Sequence, residues 1–220
     1  MTQLLNLSLK TNTPNFGDYV AIKTRRNNMN NNYNSAYEAY KEFKSDFELG
    51  IFDRPGMTEL FEYIESKGFT TLPASLNYHL KSAGGLLIHS VNVTQALIDL
   101  TESLVLPWEN PASPIIIGLC HDLCKLEFYK EEVNYDPRGD KTKFIHNDNP
   151  EYNFGGHGML SVVIAQKFIR LTDEELHCIR FHMGAYEQKD WSMLDAAIKK
   201  YPNVLYTHTA DMIASKILEA

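Results

Sequence analysis

The stretch Gly118-Leu-Cys-His-Asp-Leu-Cys-Lys125, or GLCHDLCK, overlaps the apolar run PIIIGL (114–119) and sets His121 and Asp122 among apolar neighbours. Burying two such side chains costs several kcal/mol unless a counter-charge or a metal ion meets them. The neighbouring sequence offers few cations, so the pair raises the question of what it holds.

Working outward, residues 115–126 continue as a helix after Pro114. Upstream, GGLLIHSVNVTQALIDLTESL (84–104) has the period of a long amphipathic helix, with His89 on the side shared by Val93, Ala96 and Leu100. RPGMTELFEYIESKG (54–68) predicts a short helix ending at Gly68. Downstream, residues 126–148 alternate apolar and charged side chains around DPRGD, the pattern of a β-hairpin. Helices resume at 155–169 and at 172–184, the latter opening with Thr172 and Glu175 in capping-box spacing. SMLDAAIKKYP and VLYTHTADMIASKIL complete the set. The expected class is all-α, a helical bundle with a small β-hairpin insertion and an N-terminal extension.

That extension is drawn at residues 1–53, and the main domain at 54–220. RRNNMNNNYN (25–34) has little to bury and predicts a loop or arm. From about Ala36 onward, Tyr37, Tyr40, Phe43 and Phe47 recur at helical spacing as an aromatic stripe suited to core packing, on this domain or on a second copy of the chain.

The 220 residues carry 44% hydrophobic side chains and a formal net charge of -7, a composition able to bury a core and ill suited to gripping long nucleic acid by its phosphates. Cys120, Cys124 and Cys178 form no CxxC pair and predict buried, reduced thiols. The first residues lack the charged-then-apolar pattern of a leader, and no apolar run is long enough for a bilayer. A cytoplasmic protein without membrane contact is expected.

Five segments place a histidine or aspartate on an otherwise apolar helix: His89, His121 with Asp122, His157, His182 and Asp211. Imidazole and carboxylate together suit divalent Zn, Mn, Fe, Co or Ni, and a carboxylate can bridge two ions. Any one of these residues alone is unremarkable in a core. Their order along the chain is the signal.

That order resembles the HD-domain metal-dependent phosphohydrolase superfamily in its binuclear form, H…HD…H…H…D, over roughly residues 70–220. GGLLIHS before the first histidine, HDLCK, GGHG around His157 and THTADMIAS around Asp211 are similar as well. The resemblance implies two divalent ions, drawn from Mn, Fe, Ni, Co, Zn or Mg, in the middle of the bundle. One would take His89, His121, Asp122 and Asp211; the other would share Asp122 and add His157 and His182. The ions would activate a bridging water for hydrolysis of a phosphoester or phosphoanhydride bond, with Asp122 and Lys125 as the catalytic residues and Lys125 also meeting the substrate phosphate.

His79 and Lys81, in LNYHLKSAGG, are further expected substrate contacts, and His208 is read either as an orienting partner of Asp211 or as a core residue. The chain lacks the paired histidines and GYP motif of the cyclic-dinucleotide HD-GYP enzymes, since His182 is followed by Met183. It looks closer to two other groups, the small dinucleoside-polyphosphate hydrolases and the HD 3′→5′ exonucleases, whose opening pattern PASLNYHLKSAGGLLIH (73–89) resembles. The expected partner is a small nucleotide, with short oligonucleotides as the alternative and a homo-oligomer possible. Di-iron oxygenases share the same ligand set and represent a third class of chemistry.

Overall fold

A computed structural model of the chain describes residues 32–135, 139, 141–151, 156–186 and 191–219. Most of the Asn-rich stretch and, apart from Gly139, the tip DPRGD lie outside the described residues. Helix α1 spans Tyr33–Glu48, α2 Met57–Ser66, α3 Gly85–Leu104, α4 Ser113–Cys120 and α5 Lys125–Phe128. Strands β1 (Tyr129–Asn134) and β2 (Lys141–His146) pair antiparallel, with Tyr129 opposite His146 and Asn134 opposite Lys141. Then come α6 (Gly156–Ala165), α7 (Asp173–Phe181), α8 (Trp191–Lys200) and α9 (Asn203–Ile213). The chain is mostly helical, with a single two-stranded hairpin among the described residues.

Helix α3 is the axis of the bundle. It packs on α1, α4 and α9, and α7 lies against both α6 and α9. It differs from the amphipathic expectation, because its first three turns are buried on all sides, polar His89, Ser90, Asn92 and Thr94 included. A helix surrounded by neighbours has no solvent face to mark with charges. The aromatic stripe of α1 enters the same core: Tyr40 stacks edge-on to Phe61 and Phe47 meets Phe52 and Phe61, whereas Tyr37 stays partly exposed.

Two glycines bring the histidine-bearing segments together. A Cβ on Gly118 would strike Thr94, so α4 can lie against α3 only with glycine there. A Cβ on Gly158 would strike the backbone carbonyls of Arg180 and Ile179, which is how α6 approaches the end of α7. Helix α7 opens with the expected capping box between Thr172 and Glu175. Among the described residues no helix is long and apolar enough to cross a membrane.

Candidate metal centre

The helix expected through 115–126 is interrupted at the His-Asp pair. From Cys120 to Glu127 the backbone bonds are of the i→i−3 kind, with Leu123 N–H on Cys120 O and Lys125 N–H on Asp122 O. In such a tight turn residues three apart eclipse each other. Lys125 therefore stands over Asp122, its Nζ 2.6 Å from Asp122 Oδ2. Both groups are buried.

Around this turn the predicted ligands converge. His121 Nε2 lies 3.2 Å from His89 Nε2 and 3.4 Å from Asp122 Oδ2. His89 Nε2 is 3.5 Å from Asp122 Oδ2 and 3.2 Å from Asp211 Oδ1. His182 approaches the other oxygen, with Nε2 3.7 Å from Asp122 Oδ1. Donor atoms of Asp122, Cys124 and His157 all lie within 4.8 Å of one another, and the His157 ring rests edge-on against Phe128. The structure thus brings the predicted ligands into one cluster, with His89 and His121 at Asp122 Oδ2, His182 at Oδ1, Asp211 against His89, and His157 near Asp122 and Cys124.

The outer ring nitrogens explain the aim. His121 Nδ1 donates to Gly118 O at 2.9 Å and His182 Nδ1 donates to Ile179 O at 2.7 Å, which leaves each Nε2 lone pair pointing inward. His182 Nε2 is buried with no hydrogen-bond partner. A buried nitrogen without a partner beside a carboxylate is costly in a merely structural core. The donors present fit a divalent cation. His89, His121, Asp122 and Asp211 would hold one ion, and His157 and His182 with Asp122 a second.

The charges follow from this crowding. Burial works against ionisation of Asp122, yet Lys125 and His121 overcome it and hold its carboxyl well below the usual range. Burial likewise opposes the charge on His89, but Glu219 and Asp211 outweigh it and raise the imidazole to about 10. For His121 burial prevails and its pKa falls.

The remaining predicted residues are placed unevenly. His79 sits on the Nδ1 side of His89, ring centroids 4.9 Å apart, with Nε2 3.5 Å from Glu219 Oε2. Burial and the neighbouring His89 push it down to about 4. Its loop is tied by Ser75 Oγ, which accepts from Asn77 N–H and Tyr78 N–H, and passes through Leu80 at φ 45. Lys81 is exposed just beyond and takes part in none of these contacts. His208 Nδ1 donates to His182 O at 2.7 Å, so it steadies the end of α7 rather than the Asp211 carboxylate.

Sequence reading passed over Glu219, Asn92 and Tyr129. Glu219 contacts His89 and Asn92, and Tyr129 on β1 feels the charges of Lys125 and Asp122. A β-strand start four residues beyond an HDLCK turn was the available signal for Tyr129. Comparison with protein-family models, curated proteins and solved structures finds no match.

Proposed function

We propose that the chain is an HD-type metal-dependent phosphohydrolase that cleaves a phosphoester or phosphoanhydride bond of a nucleotide-sized substrate. The observation that carries the reading is Asp122, whose Oδ2 faces the Nε2 atoms of His89 and His121 while its Oδ1 faces that of His182. Divalent ions in such a paired site acidify water and polarise a phosphoryl oxygen.

The chain's own residues do the rest. Asp122 and Asp211 supply the anionic charge that attracts cations to the bundle interior. His121 and His182, each tied to a backbone carbonyl, hold their donor atoms without searching rotamers. Lys125 brings a fixed positive charge to the same place, suited to a phosphate oxygen. The net charge of -7 favours a small nucleotide over long nucleic acid.

The test is elemental analysis of purified protein together with phosphate release from a nucleotide panel, repeated on Asp122→Ala. About two divalent ions per chain, with hydrolysis abolished in the variant, support the reading. Two irons with oxygen uptake and no hydrolysis replace it with an oxygenase. A chain that binds no metal overturns it.

A further inference from the structure

Behind His89, on the side away from Asp122, lies a carboxylate that the ligand pattern does not include. Glu219 presents both oxygens to His89 Nδ1, each at 3.1 Å, and Oε1 also accepts from Asn92 Nδ2 at 3.0 Å. Its side chain is wholly buried. Asn92 is one turn along α3 from His89, so one helix face presents two donors to one carboxylate.

Glu219 arrives there through a local irregularity. After α9 the backbone widens into a π-turn, Ala214–Leu218, closed by Glu219 N–H on Ala214 O at 3.1 Å. A regular helix would turn residue 219 about 80° away from Asp211, since eight steps of 100° leave that remainder. The wider turn alters this rotation, and π-turns of this kind recur at functional sites.

We infer that Glu219 is a positioning residue for the metal centre: it accepts the hydrogen bond of His89 Nδ1–H, with Asn92 fixing the carboxylate, so that Nε2 is aimed at Asp122 and Asp211. The inference rests on the metal-dependent reading and adds a partner to it. His121 and His182 use backbone carbonyls for the same task, whereas His89 uses a side-chain carboxylate. A carboxylate also makes the imidazole a stronger donor than a carbonyl does.

The experiment compares the full-length chain with Glu219→Ala, Glu219→Gln and Asn92→Ala. Zn2+ alone is titrated against a chromogenic chelator, and the His89 Nδ1 proton is followed by NMR of imidazole-labelled, chelator-stripped protein. We expect Glu219→Ala to weaken one of two Zn2+ steps by about 10–100-fold and leave the other unmoved. The slowly exchanging, downfield Nδ1 proton should disappear with it. Glu219→Gln, which keeps an acceptor, and Asn92→Ala should fall between, so the inference survives a poorly folding alanine variant. Both Zn2+ steps unchanged, or an unaltered Nδ1 proton, overturns it. If the unsubstituted chain binds no Zn2+, the metal-dependent reading fails while the Nδ1 proton still decides the contact. If Zn2+ binds as expected but no nucleotide is hydrolysed, the phosphohydrolase reading fails and the positioning role stands.

Discussion

Glu175 and Asp122 are both buried carboxylates, held in opposite ways. Glu175 accepts from Arg54 Nη1, Arg54 Nη2 and Ser113 Oγ, each at 2.8 Å, and from Thr172 N–H at 2.9 Å. Its charge is matched by a bidentate guanidinium and all its lone pairs are occupied. Asp122 has one short contact, Lys125, and imidazole nitrogens standing off at 3.4–3.7 Å. Asp211 and Glu219 add two more carboxylates to this cluster, both in contact with His89 rather than with Lys125. The first arrangement ties residue 54 to the start of α7. The second leaves converging donors and an excess of negative charge, which is what a cation site needs.

The contrast breaks most visibly at Glu175. Glu175→Ala leaves Arg54 buried without its counter-charge, and the chain should lose about 3–5 kcal/mol of stability in denaturant unfolding. Chains that remain folded should still bind the same number of metal ions. A loss of metal at unchanged stability would mean the two clusters are not separate.

Asp211→Asn should do the reverse. Metal binding and hydrolysis should fall at least about a hundredfold, beyond the usual cost of losing an outer partner of a ligand. Chemical unfolding of chelator-stripped protein should move by less than about 1.5 kcal/mol.

On the proposed metal-dependent reading, a proton and a metal ion compete for His89. Its raised pKa means the stripped chain is stabilised by the imidazolium, fully below the ordinary value near 6.5 and progressively less as pH rises toward about 10. Zn2+ must displace that proton, so its apparent affinity should rise about tenfold per pH unit between about pH 6 and 8. Titration at several pH values checks this, and a flat profile would show that His89 binds metal without releasing a proton.

The smallest effect belongs to an exposed pair. Lys199 Nζ meets Asp195 one turn away on α8 at 2.5 Å, with both side chains largely in solvent. Lys199→Ala should shift stability by less than about 0.5 kcal/mol in a thermal melt. That sets the baseline against which the two buried clusters are measured.

Much of the fold was legible because it follows periodicity. The capping box at Thr172, the hairpin at 129–146 and the helix bearing His89 were all readable from spacing. The burial of α3 on every side was not, since it depends on neighbours distant in sequence. The six-residue cluster was legible as an order of residue types, and the structure brings those types together around Asp122. The contact of Lys125 with Asp122 was not legible, because it depends on the tight turn that replaces the expected continuous helix. Glu219 could not be found by helical spacing, because a π-turn stands between it and Asp211. His208 illustrates the converse, for its spacing suggested Asp211 while its hydrogen bond goes to another helix.

The carbonyl bonds behind His121 and His182 have a kinetic consequence. Both rings are oriented when the chain folds, so an arriving ion does not have to freeze their rotamers. Capture of an ion would then resemble insertion into a rigid socket. For any ion bound there, the cost of ordering these two donors would already have been met in folding.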